Sequence, residues 1–219
     1  MSEERDSAAL LDGPRGGAAV RAAQEVEAGR AVVVHGCADG GGVVFAAARA
    51  DVELTAFAVR CSSGFLCVAL SGERCDDLVL PPMSPRTGHR GPTACVTVDA
   101  SAGVSTGISA ADRARTARLL AAPHTAPEDF TRPGHVVPVA VGDAVGDPAL
   151  LAEAAFALVG LSGLAPAAVY AHLVSPVDPT RMATDDELEA FAVSEGLASA
   201  PADGIAALRS ATWDAATAG

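Results

Sequence analysis

The sequence predicts an α+β fold, a single domain in which helices flank a mixed sheet. Three observations lead there. Short apolar, β-branched runs recur along the chain and read as buried strands. Capped helical segments follow some of these runs but not all, so strands and helices mix without strict alternation. No linker or internal repeat divides the 219 residues, enough for one sizeable core.

Residues 1–17 are polar and Gly-rich and read as a flexible N-terminal tail, leaving 18–219 as the domain. Residues 18–28 form a short helix ended by Gly29, and Ala31–His35 a buried strand. Gly36–Gly42 is a Gly-rich loop with one acid, Asp39, before a strand over Val43–Ala46. Asp51 caps a helix with Val52, Ala56 and Val59 on its apolar face. Phe65–Leu70 is apolar on both faces, as expected of a strand covered by helices. Residues 84–93 form a polar loop, and Ala94–Val98 another strand. Ser109 and Asp112 have capping-box spacing for a helix reaching Ala121. Val136–Val141 is a strand. Pro148 suits the first turn of a helix ending near Gly160 or Gly163. Ala168–Val174 is a strand, and Asp185–Glu195 a helix stopped by Gly196.

Half of the residues are apolar but only 4% are aromatic, so the core is built from Ala, Val and Leu. All fifteen cations are Arg, a bias that suggests a GC-rich bacterial genome. The net charge of −12 argues against nucleic acid or an anionic membrane as partner. Five cysteines without a CxxC pair suit reduced thiols in a cytoplasm. The charged N-terminus has no apolar signal segment. Residues 154–174 carry no Asp, Glu, Lys or Arg, but Gly160, Gly163 and Pro166 interrupt them. A helix, a turn and a strand explain that run better than a membrane span.

Several ordered motifs carry a resemblance. They are Ser63-Gly64-Phe65-Leu66-Cys67, Glu73-Arg74 with Leu80-Pro81-Pro82-Met83, Gly103–Arg113, Arg132-Pro133-Gly134-His135-Val136-Val137-Pro138, and Leu161–Ala167. Together they resemble the 3,4-dihydroxy-2-butanone 4-phosphate synthase family, the ribulose-phosphate lyases of riboflavin synthesis. The likeness covers roughly residues 18–200. It implies that family's fold, a small-molecule substrate, and a homodimer with a shared active site.

Two segments depart from the family pattern. Where the family has an acidic loop, this chain has Gly36-Cys37-Ala38-Asp39-Gly40-Gly41-Gly42. Where it has Arg-x-Gly-His-Thr-Glu, this chain has Pro148-Ala149-Leu150-Leu151-Ala152-Glu153, and a later family Glu falls on His172. These segments supply magnesium ligands and proton-transfer groups in the family. The expectation is therefore a repurposed, metal-independent enzyme without cofactor, catalysing a cyclisation, condensation, dehydration or isomerisation in bacterial secondary metabolism. Its cavity would be bounded by Leu150, Leu151 and Ala152. A non-catalytic homologue that binds a small molecule or protein is the alternative, and an authentic riboflavin lyase is the third reading.

Each candidate residue has a structural reading beside the functional one. Through the resemblance His135 ranks first as general acid–base, against a surface His. Cys67 is a pocket thiol or a buried inert one. His172 and Tyr170 alternate on their strand and face the pocket or the core. Asp39 is a weak candidate base. Thr106 and Ser109 hold an anion or cap a helix. Asp112 and Arg113 bind substrate or pair with each other, and Arg132 joins the substrate set through the resemblance. Cys37 is a remote nucleophile candidate. Gly40–Gly42 is a flexible turn or a ligand approach, with neither the Lys nor the spacing of a P-loop.

Overall fold

The computed structural model describes residues 14–84, 91–142, 145–146 and 149–217. Helix α1 spans Pro14–Glu27 and strand β1 Val32–His35. Strand β2 (Gly42–Ala46), helix α2 (Val52–Cys61), strand β3 (Cys67–Ser71) and helix α3 (Gly72–Asp77) follow. Strands β4 (Thr93–Ala94) and β5 (Val98–Ala100) precede helix α4 (Ala110–Ala121) and strand β6 (Phe130–Val141). Helix α5 (Leu151–Leu161), strand β7 (Ala168–His172), helix α6 (Asp185–Glu195), strand β8 (Ala198–Pro201) and helix α7 (Ala202–Thr217) complete the chain.

The strands form one mixed sheet in the order β4-β6-β3-β7-β2-β1-β8, with β5 added to β6. The parallel pairs are β3–β6 and β1–β8. Both faces are covered, which explains why the central strands read as unbroken apolar runs. Val33, Phe45, Val68 and Val169 pack with α2, α4 and α6 on one face. Val32, Val34, Val44 and Ala69 pack with α1, α5 and α7 on the other. The predicted α+β class with a mixed sheet and flanking helices is therefore correct.

Local chemistry sets the boundaries. The Asp51 carboxylate accepts from Leu54 N at 2.7 Å at the start of α2. Thr184 and Glu187 form a reciprocal capping box on α6, and Gly196 ends it in the left-handed region at φ 67°. Residues 154–174 fold as the predicted helix, turn and strand, and no helix among the described residues is long and apolar enough to cross a membrane.

Several expectations need correction. The first helix begins at Pro14, so residues 14–17 are not tail; residues 1–13 lie outside the described residues. Pro148 and most of the 84–93 loop also lie outside them. The strand expected at Ala94–Val98 is two short strands, and β6 starts six residues earlier than its apolar run, at Phe130. Helix α3, β8 and α7 were not expected, because each lacks a long apolar period. Gly41 and Gly42 are not a flexible turn. A Cβ on Gly42 would lie 2.1 Å from Ala171 O, and one on Gly41 2.3 Å from Val34 O. Both glycines permit close backbone approach inside the sheet.

Candidate active site at one end of the sheet

Strand register gathers the candidate residues. Cys67 pairs with Val137 of β6 on one side and Tyr170 of β7 on the other. Gly42 pairs with His172. Because β3 and β6 are parallel while β7 opposes them, His135, Cys67, Tyr170, His172 and the Asp39 loop all lie at the same end of the sheet.

His135 is half-exposed, and its ring Nδ1 lies 2.7 Å from Oδ2 of the buried Asp99. Its backbone N–H donates to Oδ1 of the same carboxylate at 2.9 Å. Asp99 was not legible as a site residue, since Val-Asp-Ala in a strand carries no motif. Arg113, 5% exposed, donates from Nη1 to Gly64 O at 2.9 Å. Its Nε has no hydrogen-bond partner among the described residues. Burial lowers its pKa, and the charge of Asp99 opposes that shift.

The Gly103–Arg113 motif is largely a scaffold for itself. Ser109 Oγ accepts from Asp112 N at 3.1 Å and caps α4. Asp112 turns back into the loop, where it accepts from Ser105 N, Ser105 Oγ and Gly107 N at 3.1, 2.8 and 3.0 Å. Those bonds, the one from Ser105 Oγ first, hold its pKa below the usual carboxylate value. Thr106 is exposed between the two bound amides. Arg132 spends its guanidinium on the carbonyls of Pro127, Phe130 and Leu78. Asp112 thus pairs with the loop rather than with Arg113, and Arg132 acts as a clamp between chain segments.

The second cluster surrounds Asp39. Its Oδ1 accepts from Leu151 N at 2.9 Å, supplying a cap to α5 from a distant loop, and its Oδ2 lies 3.3 Å from His172 Nε2. Burial raises the Asp39 pKa, but the bonds from His172 and Leu151 outweigh it and the net shift is downward. Tyr170 and His172 meet edge to face, with ring centroids 5.8 Å apart. Burial pushes the Cys67 thiol up to about 11, partly offset by its hydrogen bond with Tyr170. Burial, then the charge of Cys67, raises the Tyr170 phenol as well. Cys37 is pushed up to about 12 by burial and by Asp39, Asp185 and Glu153, which makes it a poor nucleophile. At neutral pH this cluster holds an ionised carboxylate beside a protonated thiol and phenol.

Leu151 and Ala152 are buried in the core, so they do not bound an enlarged cavity as expected. Glu153, the retained acid of that segment, accepts from Leu150 N and Gly146 N through Oε2. The family implies magnesium. Among the described residues, no three His, Cys, Asp or Glu side chains converge to hold a metal ion. The carboxylates of Asp39 and Glu153 are already engaged by backbone N–H groups at the start of α5. They form no all-protein cage, which magnesium does not require, since it usually keeps several waters and takes one or two carboxylates.

Comparison with known proteins settles the lineage. The model of the family described as 3,4-dihydroxy-2-butanone 4-phosphate synthase matches residues 20–207. The chain is 48% identical to "Riboflavin biosynthesis protein RibBA" of Rhodococcus erythropolis, over 81% of this chain and 43% of that protein. The same figures hold for its counterpart in Mycobacterium marinum. The chain thus spans less than half the length of these curated relatives. A solved 3,4-dihydroxy-2-butanone 4-phosphate synthase in complex with two magnesium ions superposes with TM-score 0.76 at 34% identity, covering 84% of this chain and 93% of that one. The Candida albicans enzyme gives 0.73 at 36% identity over the same shares.

These findings overturn the expectation of a repurposed, metal-independent enzyme of secondary metabolism, and its non-catalytic alternative. The 48%-identical relatives are named for riboflavin biosynthesis, and a structural neighbour holds magnesium. The expectation gave two divergent segments more weight than the rest of the domain.

Proposed function

Because the chain belongs to the 3,4-dihydroxy-2-butanone 4-phosphate synthase family, we propose that it catalyses that family's lyase reaction. Ribulose 5-phosphate would be enolised and rearranged to release formate, in the service of riboflavin synthesis. The 48% identity to proteins named for that pathway supports the reading. The observation that carries it structurally is the His135–Asp99 pair, set at the sheet end that also holds Cys67, Tyr170, His172 and Asp39.

The chain's own residues divide the proton work. His135 takes and returns a proton at Nε2, the ring atom turned away from Asp99. Asp39 is ionised and acts on the His172 ring. Cys67 stays protonated and donates a hydrogen bond to a developing oxyanion, while the one O–H of Tyr170 is spent on the Cys67 sulfur and orients it. Environments that drive neighbouring titratable groups apart in this way separate acids from bases. Thr106 is exposed where it can meet the substrate, whereas Arg113 is buried and its Nε is closed off from solvent.

A homodimer that shares the site belongs to the same proposal. The exposed apolar side chains of Phe65 and Ile108, beside Gly64 and Gly107, support it. Cytoplasmic localisation belongs to it too, consistent with cysteines that form no disulfide among the described residues.

Growth without riboflavin tests the reading. In a bacterial strain lacking its own dihydroxybutanone phosphate synthase, this chain is expected to restore growth, and His135→Gln to abolish it. Failure of the parent chain, while a relative expressed equally restores growth, would overturn the proposal.

A further inference from the structure

Strand β5 meets β6 with a discontinuity. Val98 pairs with Val136, but the next residue, Asp99, pairs with Thr131. Residues 132–135 therefore leave the ladder as an Arg-Pro-Gly-His bulge with no opposing residues on β5. Asp99 lies at the base of that bulge and grips its last residue twice, through the His135 backbone N–H at 2.9 Å and the ring Nδ1 at 2.7 Å. Gly134 lets the bulge close. Its N–H donates to Thr97 Oγ1 at 3.0 Å, and a Cβ there would lie 2.0 Å from Val98 C. Gly107 covers the pair from the other side; a Cβ there would lie 2.0 Å from Asp99 Oδ2 and 2.7 Å from His135 Nδ1.

We infer that Asp99 is the positioning residue for His135, fixing its ring orientation and its tautomer. This rests on the reading of His135 as the proton carrier. An ionised carboxylate has only acceptor atoms, so the short contact requires the ring proton on Nδ1. Nε2 is then left bare toward the substrate, as a base must be. The arrangement resembles the logic of an Asp–His pair in which the acid orients the imidazole and never takes its proton. The charge of Asp99 also acts on the buried Arg113 guanidinium. Oδ1 is occupied by the backbone N–H, so the carboxylate cannot swing away without releasing the bulge.

Nitrogen-15 NMR of the imidazoles tests this without any assay of activity. The His135 resonances are identified by their loss in His135→Gln. At mildly alkaline pH the parent is expected to show the Nδ1–H tautomer at His135. In Asp99→Asn the amide oxygen keeps the backbone N–H and the amide NH2 faces Nδ1, so the ring is expected to switch to Nε2–H. Formate release should fall by about 10²-fold in kcat with KM nearly unchanged, and the double variant should be no worse than His135→Gln alone. An Nε2–H tautomer in the parent overturns the inference, whether or not Asp99→Asn folds. Equal kcat in Asp99→Asn and parent also overturns it. If the parent releases no formate, the functional reading fails, while the tautomer still decides the role of Asp99.

Discussion

Asp39 and Leu151 lie 112 residues apart in sequence, yet the Asp39 carboxylate accepts the first free N–H of helix α5 at 2.9 Å. The loop that is glycine-rich in this chain thus keeps one acid where it caps a helix and meets His172. Asp39→Ala should destabilise the fold by about 1 kcal/mol, the usual cost of a lost cap. Asp39→Asn, which keeps the acceptor, should recover most of that stability. Thermal denaturation of the two variants checks both outcomes.

Glycine at position 42 is a packing requirement. Gly42→Ala places a methyl 2.1 Å from Ala171 O, inside the β2–β7 pair. Strand separation is the only relief, and the expected loss is about 3 kcal/mol, the upper part of the overpacking range. Gly72→Ala, where a Cβ meets nothing within 4 Å, is the control and should be near neutral. Urea melts of both variants read the difference.

Thiol chemistry should be slow at the sheet end. With Cys67 pushed up to about 11, roughly one molecule in 10⁴ carries the thiolate at pH 7. Cys37, pushed up to about 12, is rarer still. Brief alkylation at pH 7.5 followed by peptide mapping should leave both unmodified in the folded protein and label both after unfolding. Rapid modification of native Cys67 would contradict the protonated state assigned to it.

Acid should unfold the protein through a few named carboxylates. Glu187 is held down to about 2 by its bonds from Arg181 and the Thr184 N–H, and Asp39, Asp112 and Asp178 are also depressed. Each favours the folded state above its ordinary carboxylate pKa, and that contribution is lost as pH falls through the lower folded value. Stability should therefore decline from about pH 4.5 toward pH 2. Glu187→Gln should flatten part of the slope in a pH series of thermal melts.

The fold was legible where patterns were strong. The runs at Val32–His35 and Ala168–His172 have apolar side chains on both faces, and Ser109 and Gly196 mark helix ends by local chemistry. Helix α3 and strand β8 were not legible, since six and four residues carry too little periodicity. His135 was singled out by its motif, while its contact with Asp99 depends on a register shift between two strands that no local pattern records. Arg132 and Asp112 looked like ligand contacts, yet their hydrogen bonds to the protein itself became visible only in three dimensions. The two divergent segments depart from the family pattern as read, but the 48% identity to relatives named for riboflavin biosynthesis contradicts the change of function drawn from them.

Formate release from ribulose 5-phosphate, with magnesium supplied, tests the central claim most directly. The account predicts steady turnover by the parent chain and a loss of about 10²-fold or more in His135→Gln with the fold intact. No formate above the uncatalysed background, from folded protein at saturating substrate and magnesium, would contradict it.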